Sequence, residues 1–241
     1  MIEFAGDGQP PDSCKPWVER GGRAVPVCYI FGSGEYGAQW PRMGLDDLVI
    51  AADGGYAQLE GRGVSPHLLV GDFDSLGYVP DHPRIVRHPV VKDDTDTALA
   101  IREGWARGLR EFHIYGGMGG RLDHTLANLQ LLVGLSQQGG AGFLVGEREV
   151  ATALTAGALR FPAGYQGTLS VFAAGGPAEG VTLTGLRYPL REGRLTGGVP
   201  LGVSNAFLGG PATVAVAAGT VLVLWLPHPE LPLPERRLAG Q

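Results

Sequence analysis

Short apolar runs alternate with helical patterns over the first part of the chain, and this alternation constrains the fold more than any other feature. The runs predict strands at 25–31, 48–53, 67–72, 84–89, 111–117 and 142–146, and helical patterns lie at 55–62, 94–108 and 122–138. Apolar strands separated by helices are typical of a largely parallel sheet with helices on both faces. The sequence therefore predicts an α/β domain over residues 25–148.

The pattern changes after residue 148, where no convincing helical period remains. Runs such as GTLSVFAA, GVTLTGL, ATVAVAA and TVLVLWL lie between glycines and prolines, which is typical of a small all-β sandwich or barrel. We predict a C-terminal β-sandwich domain over 149–241. Its most apolar stretch, 214–226, is too short to span a membrane and predicts two strands joined by a turn at Gly219-Thr220.

Composition and the N-terminal residues exclude several classes of protein. The 241 residues are 44% hydrophobic and carry a net charge of −5, with scattered basic residues, which argues against a nucleic-acid partner. Two cysteines, Cys14 and Cys28, form no disulfide framework. Residues 1–24 lack the pattern of a secretory signal, and their Gly, Pro and polar content predicts a flexible arm. We expect a soluble, cytoplasmic protein with no membrane partner.

The segment LLVGDFDSLG, at 68–77, places two carboxylates at the end of an apolar strand. Side chains at i and i+2 of an extended strand share a face, so Asp72 and Asp74 are expected to converge. Two unit charges about 4 Å apart repel by roughly 4 kcal/mol at an effective dielectric of about 20. Such a pair is tolerated when water screens it, when one group takes a proton, or when a cation lies between the two.

Further acidic residues follow other strands or precede helices of the same domain. Asp53 ends the second strand, Asp96 lies in KDDTD, and Asp123 lies in GGRLDH. A single carboxylate in such a place is most often a turn or helix cap. Because ligands of open α/β sheets bind at the carboxyl ends of the strands, we expect these carboxylates to share one edge. Oxygen ligands at that edge suit a hard divalent cation such as Mg²⁺.

Two glycine-rich segments are candidate phosphate loops, FGSG at 31–34 and YGGMGGR at 115–121. Glycines let main-chain N–H groups approach a polyanion, and the helix that follows the second segment adds its positive N-terminal end. Neither segment matches a Walker A or a complete GxGxxG motif, so each is a weak signal by itself. Arg121 is either a bidentate phosphate ligand or a surface charge. His124 is a cap, a core histidine or part of the site.

The motifs ADGG, GDFDS, KDDTD and GGRLDH occur in this order, and with them the sequence closely resembles the thiamine pyrophosphokinase family. The later segments GLRYPL, at 185–190, and GVSNAF, at 202–207, are similar to signatures of the family's β domain. The resemblance covers roughly residues 26–226. It implies an α/β catalytic domain and a C-terminal β-sandwich in a homodimer, with active sites at the subunit interface. It also implies Mg²⁺-dependent transfer of pyrophosphate from ATP to the hydroxyl of thiamine, which yields thiamine diphosphate and AMP.

The resemblance also implies roles for individual residues. The catalytic set is Asp72, Asp74, Asp96 and Asp123. Three of these, Asp72, Asp74 and Asp96, are also the expected metal ligands. The residues expected to bind ATP are Asp53, Gly54, Gly119, Gly120, Arg121 and His124, and those expected to bind thiamine are Ser204, Asn205 and Trp225. Asp96 and Asp123 are both candidates for the base.

Two departures from the family pattern and two rival functions remain open. Many members have Ser-Asn-Glu where this chain has Ser204-Asn205-Ala206, so any contact made by that glutamate is missing. Trp225, in an apolar run, is a core residue as readily as a platform for thiamine. The rivals are a nucleotide-dependent phosphotransferase or hydrolase with another acceptor, and a non-catalytic sensor that binds thiamine diphosphate or nucleotide.

Overall fold

The computed structural model describes residues 25–38, 40–87 and 94–238. Of Leu238 it describes the backbone only. The chain divides into two compact units between Asn128 and Leu129. The predicted domain boundary at 148/149 lies later in the chain and stays a prediction, and the arm predicted for 1–24 lies outside the described residues. Among the described residues, no helix combines the length and the apolar character that a membrane crossing requires.

The first unit is built on a parallel sheet. Its strands are β1 (Val27–Phe31), β2 (Leu48–Ala52), β3 (Leu68–Val70), β4 (Ile85–Val86) and β5 (Glu111–Tyr115). They lie in the order β5-β1-β2-β3-β4, and every neighbouring pair is parallel. Its helices are α1 (Gly55–Glu60), α2 (Asp96–Ala106) and the first part of α3 (Leu122–Gln137), which continues into the second unit. The predicted parallel α/β architecture is confirmed, with β4 shorter than the run 84–89 indicated.

The core of this unit forms where α2 packs on the central strand. Every residue of β1 is buried, and α2 contacts β1 and β2. Gly104 of α2 lies so close to the sheet that a Cβ built on it would be 2.7 Å from both Cys28 Sγ and the Phe112 ring. Burial raises the pKa of the Cys28 thiol, which is therefore an inert packing group.

The second unit is antiparallel and rich in long strands. They are β6 (Ala141–Val145), β7 (Val150–Phe161), β8 (Thr168–Thr184), β9 (Leu190–Leu195), β10 (Gly202–Ala206), β11 (Ala212–Trp225) and β12 (Glu235–Leu238). The order is β10-β8-β11-β7-β6, with β9 beside β8 and β12 beside β7. No helix follows α3 in the described part of the chain, so the predicted all-β second half is confirmed.

The expectation of two strands and a turn within 214–226 is wrong. β11 runs without interruption from Ala212 to Trp225, and its register with β7 shifts between Val216 and Thr220. Gly219 has a φ of 83°, which lets the extra residues bulge while pairing resumes beyond them. Likewise, most of GTLSVFAA and most of GVTLTGL lie in the single strand β8. Within β8 and β11, the glycine-containing segments that resemble turns in the sequence are irregularities of a continuous strand.

The bulges fold the long strands back to form a sandwich. In the β7–β11 ladder, Trp225 pairs with Val150 at one end and Phe161 lies at the other. A straight β7 would separate these ends by roughly 36 Å, at about 3.3 Å per residue. The ring centroids of Phe161 and Trp225 are nevertheless only 5.2 Å apart. The two ends of the sheet therefore face each other across a shared aromatic core.

The close approach of α2 to β1 leads to a test with two glycine substitutions. Gly104→Ala should lower the free energy of unfolding by about 1–2 kcal/mol, because its Cβ overlaps the Cys28 side chain and the Phe112 ring. Gly134→Ala, within α3, meets no atom within 4 Å and should raise it by about 0.5–1 kcal/mol through helix propensity. Urea unfolding of both variants measures this. Equal stabilisation by the two substitutions would contradict the packing.

Candidate active site

A cleft of about 600 Å³ lies in the first unit, where β1, β2 and β3 end. Seven of the residues predicted for the site line it: Asp53, Asp72, Asp96, Gly119, Gly120, Arg121 and His124. Both predicted glycine loops contribute, since Gly32, Ser33 and Gly34 also line the cleft. Residues from five separate stretches of the chain thus meet at the carboxyl edge of the sheet, as expected for an open α/β fold.

Asp53 is the most buried carboxylate of the cleft, at 7% exposure. Its main-chain N–H donates to the Val70 carbonyl (2.8 Å), and its φ of 47° turns the chain away from β2. Ser33 Oγ donates to Asp53 Oδ2 (3.4 Å), whereas Asp53 Oδ1 is buried and has no hydrogen-bond partner among the described residues. An unpartnered buried carboxylate oxygen is costly. A cation at this position would remove that cost.

Asp72 and Asp74 do lie close together, but the expected strand alternation is not the reason. β3 ends at Val70, Phe73 takes a left-handed φ of 65°, and Asp74 begins a single 3-10 turn. Within this turn Asp72 Oδ1 accepts a hydrogen bond from the Asp74 N–H (3.2 Å). One carboxylate oxygen each from Asp53, Asp72 and Asp74 lies within 4.8 Å of the others. Three such oxygens form a candidate site for a hard divalent cation.

Asp96 completes the acidic cluster from the start of α2. The preceding residue, Thr95, is the N-cap, and its Oγ1 accepts a hydrogen bond from the Ala98 N–H (3.2 Å). Partial burial is the main cause that raises the pKa of Asp96, and together with the charges of Asp53, Asp72 and Asp74 it brings the pKa to about 6. Its carboxylate is therefore a better proton acceptor near neutral pH than an ordinary aspartate.

Asp94, which sequence reasoning left out of the site, also lines the cleft. Arg102 forms a two-pronged ion pair with it, with distances of 2.5 Å and 3.0 Å. Because this pair neutralises the carboxylate, Asp94 is not an open ligand like Asp53. The sequence contained a signal for this ion pair, because Arg102 lies eight residues, or about two helical turns, after Asp94 in the predicted helix.

Asp123 does not join the carboxylate cluster. Arg121 donates to it through Nη2 (2.6 Å) and Nε (3.2 Å), and both side chains are more than half exposed. These hydrogen bonds to Arg121 hold the pKa of Asp123 below its usual range. A carboxylate of lowered pKa outside the cleft is a weak candidate for the base. The geometry therefore favours Asp96 over Asp123 for that role.

The two glycine loops are joined by main-chain hydrogen bonds. Gly32 N donates to Tyr115 O (2.8 Å), and Gly34 N donates to Gly116 O (2.7 Å). A Cβ on Gly116 would lie 2.5 Å from the Gly32 carbonyl oxygen, so only glycine permits this approach. Gly54 lies behind the cleft, where a Cβ would be 2.8 Å from Ser33 Oγ. It supports the first loop and does not line the cleft.

The residues predicted to bind thiamine lie in the second unit and differ in accessibility. Asn205 is 4% exposed, and its carboxamide accepts from Tyr188 N (2.9 Å) and donates to Tyr188 O (2.7 Å), which ties GVSNAF to GLRYPL. Ser204 is exposed and has a left-handed φ of 59°. Trp225 is 2% exposed and packs edge-on against Phe143 and Phe161. Of its two interpretations, the structure shows the core residue.

A parallel α/β unit with an acidic, glycine-lined cleft, followed by a β-rich unit, is an arrangement suited to an enzyme that transfers phosphoryl groups. Comparison with known proteins identifies the family. The model of the thiamin pyrophosphokinase catalytic domain matches residues 43–141, and the model of the family's vitamin B1 binding domain matches residues 159–221. Together these matches span more than half of the chain, which therefore belongs to the thiamin pyrophosphokinase family of enzymes.

Individual relatives agree with this assignment. The thiamine pyrophosphokinase of Bacillus subtilis (strain 168) is 27% identical over 192 residues, which are 73% of this chain and 86% of the relative. A crystal structure of the Bacillus subtilis thiamine pyrophosphokinase superposes with a TM-score of 0.74 at 24% identity, over 84% of this chain and 99% of the other. For thiamin pyrophosphokinase from Geobacillus thermodenitrificans the TM-score is 0.71 at 23% identity, over 86% and 100%. The two superpositions show the same fold.

The raised pKa of Asp96 predicts a pH-dependent gain in stability for Asp96→Asn when no divalent cation is present. In the wild type, the folded state binds more protons than the unfolded state between about pH 4 and pH 6, so wild-type stability falls as the pH rises through this window. After allowance for solvent screening, the variant should be about 1 kcal/mol more stable at pH 7.5 and no more stable at pH 4. Urea unfolding in EDTA across this range measures the difference.

Asp123→Asn is the matched control for this measurement. The pKa of Asp123 is lowered by Arg121, so its substitution should give no gain in stability at pH 7.5. A gain for Asp96→Asn that is the same at pH 4 and pH 7.5 would contradict the electrostatic origin of the effect.

Proposed function

We propose that the enzyme transfers pyrophosphate from ATP to the hydroxyl of thiamine, releasing thiamine diphosphate and AMP in the cytoplasm. The observation that carries this proposal is that Asp53, Asp72 and Asp96 line one cleft together with two glycine loops. Asp74 adds a third carboxylate beside Asp53 and Asp72. The carboxylates suit a cation, and the glycine loops beside them suit phosphates. Transfer of a pyrophosphoryl group from a metal–nucleotide complex requires both. Membership of the family supports thiamine as the acceptor.

We infer that Asp53, Asp72 and Asp74 hold a divalent cation, with Mg²⁺ as the expected ion. Two features support this site: the oxygens of the three residues lie within 4.8 Å of one another, and Asp53 Oδ1 has no hydrogen-bond partner among the described residues. A bound Mg²⁺ would neutralise charge on the phosphates and polarise the transferred group. Asp96, from its place beside this cluster, is either a further ligand or the base.

The phosphates of ATP are assigned to the glycine loops and their neighbours. Gly119, Gly120, Arg121 and His124 line the cleft, and the Arg121 side chain is 73% exposed. A guanidinium that now pairs with exposed Asp123 can exchange that partner for a phosphate at little cost, because a surface ion pair contributes little. Arg121 would then stabilise negative charge on the departing AMP or on the transferred group.

In the proposed reaction the thiamine hydroxyl oxygen attacks the β-phosphorus of ATP. The new bond joins that oxygen to the β-phosphorus, and the bond from the β-phosphorus to the oxygen it shares with the α-phosphorus breaks, so that AMP leaves with that oxygen. The hydroxyl proton passes to the Asp96 carboxylate, whose pKa of about 6 keeps it mostly ionised at neutral pH and yet basic enough to accept a proton. Positioning and charge stabilisation account for the remainder of catalysis.

A homodimer with the active site at the subunit interface is part of the proposal. Leu122 and Leu126, one turn apart on α3, are 72% and 52% exposed. Leu122 directly follows Arg121, and Leu126 comes two residues after His124; Arg121 and His124 both line the cleft. Large apolar side chains exposed beside a charged cleft suit burial by a second copy of the chain. Exposed Ser204 is the remaining candidate for a contact with thiamine, and Asn205 supports the loop that carries Tyr188.

The proposed activity predicts AMP release from Mg²⁺-ATP that depends on added thiamine. Asp72→Asn and Asp74→Asn should each lower kcat by about 100-fold or more while the fold is kept, since each removes a charged ligand oxygen. Asp81→Asn, an exposed carboxylate of the same unit outside the cleft, is the control and should leave kcat unchanged. AMP, thiamine diphosphate and unfolding temperature are measured for all three.

Other outcomes of this assay identify the rival functions. ATP turnover that is indifferent to thiamine would mean a different acceptor. Tight binding of nucleotide or thiamine diphosphate with no AMP formed would mean a sensor. Near-normal activity of a folded Asp72→Asn/Asp74→Asn double variant would contradict the cation site.

The dimer leads to a separate prediction. Leu122→Glu combined with Leu126→Glu should convert a dimer to a monomer, because two buried charges at an interface cost more than the lost apolar contact alone. Light scattering after size-exclusion chromatography measures the mass. Leu208→Glu, equally exposed at 66% but in the second unit, is the comparison substitution. A wild-type protein that is monomeric at micromolar concentration would contradict the proposed interface.

A further inference from the structure

Four successive carbonyl groups of the second glycine loop, from Tyr115 to Met118, each accept a hydrogen bond. Three of the donors are main-chain N–H groups of the first loop: Gly32 to Tyr115 O (2.8 Å), Gly34 to Gly116 O (2.7 Å) and Glu35 to Met118 O (2.9 Å). The fourth carbonyl, that of Gly117, accepts from a side chain. The conformation of this loop is thus set by an unbroken row of bonds on its carbonyl side.

The side chain that holds the Gly117 carbonyl is Asn128 of α3. Its Nδ2 donates to Gly117 O at 2.7 Å, and the residue is only 5% exposed. Asn128 also lines the cleft, together with Arg121 and His124, which lie seven and four positions before it and so share one side of this helix start. Among the four bonds of the row, this is the one that a substitution of a side chain can remove.

The bonded carbonyls determine where the N–H groups of the loop point. A trans peptide is planar, and its C=O and the following N–H point in opposite directions. The N–H groups of residues 117–119 therefore point away from the atoms that hold the carbonyls, and they donate to no atom of the described residues. Unpaired N–H groups of neighbouring peptides are the arrangement that binds anions. Gly119, with a φ of 84°, continues this arrangement towards α3.

We propose that Asn128 is a positioning residue for the polyphosphate of the nucleotide. By holding the Gly117 carbonyl it fixes the peptide between Gly117 and Met118, and so keeps the N–H groups of this part of the loop, where Gly117 and Gly119 line the cleft, available to phosphate oxygens. Asn128 acts through the loop and contacts no reacting atom. This role rests on the proposed function for the identity of the ligand, whereas the orientation of the loop does not depend on the reaction.

Two substitutions of Asn128 test this role. Asn128→Asp keeps the shape of the side chain and replaces the donor by an oxygen, and Asn128→Ala removes the side chain. Gln138→Ala is the matched control, because Gln138 Nε2 also donates to a main-chain carbonyl, that of Gly134 (3.1 Å), at an exposed position away from the cleft. Calorimetry with Mg²⁺ and a non-hydrolysable ATP analogue, with AMP, and with inorganic tripolyphosphate gives the affinities, and steady-state kinetics gives KM for each substrate.

The expected result is an affinity for the ATP analogue and for tripolyphosphate that is at least about tenfold weaker in both Asn128 variants, with a much smaller change for AMP. KM for ATP should rise while KM for thiamine stays within about twofold, and Gln138→Ala should match the wild type. A merely structural role would weaken all ligands together and lower the unfolding temperature in proportion. That outcome overturns the inference, as does an unchanged affinity for tripolyphosphate in folded Asn128→Asp.

The test separates this inference from the proposed function. If the wild type binds tripolyphosphate and Asn128→Asp does not, while no thiamine-dependent AMP is formed, the role of Asn128 holds and the proposed reaction fails. If thiamine-dependent AMP is formed and both Asn128 variants bind every ligand like the wild type, the reaction holds and the role of Asn128 fails. Should Asn128→Ala not fold, the isosteric Asn128→Asp decides the result.

Discussion

The repulsion among the clustered carboxylates is the constraint on which the rest of this structure depends. Asp53 follows β2, Asp72 and Asp74 lie in the turn after β3, and Asp96 begins α2. The charges of the other three raise the pKa of Asp96 in addition to its burial. A flexible chain would separate these groups. Here they are held by the backbone, since the Asp53 N–H is bound to the Val70 carbonyl and buried strands support the turns that follow them. The stability of the sheet thus maintains an arrangement of charge that is unfavourable without a cation.

The glycine loops that line the cleft carry the complementary partial charge on their main chain. Two glycine loops bind each other through their carbonyl and N–H groups, at distances that a Cβ on Gly34 or Gly116 would prevent. Peptide N–H groups then remain for a ligand, and among the described residues that line the cleft Arg121 alone adds a full positive charge. A cleft with both carboxylates and N–H groups suits a ligand that brings cation and polyanion together, such as a metal–nucleotide complex.

Much of the architecture could be predicted from the pattern of apolar residues, because buried strands and amphipathic helices have different periods. The strands and helices of the first unit lie within a few residues of the predicted bounds. Errors arose where local sequence allows two geometries. The local sequence Gly219-Thr220 is compatible with a turn and with a bulge. It forms a bulge because β11 pairs with β7 and β8 on both sides of it. The approach of Asp72 to Asp74 comes from a left-handed Phe73, which no propensity indicates.

By itself, the sequence determined the fold class, the acidic motifs and their order, and through them the family. These properties depend on residue type and spacing along the chain. Only the tertiary structure decided which residues share the cleft: that Asp96 joins the cluster and Asp123 pairs outside it, that Trp225 is core, and that Asn128 holds the Gly117 carbonyl. The physical reason is that pKa, burial and hydrogen bonding depend on neighbours in space. Long-range packing brings those neighbours together, and spacing along the chain does not specify it.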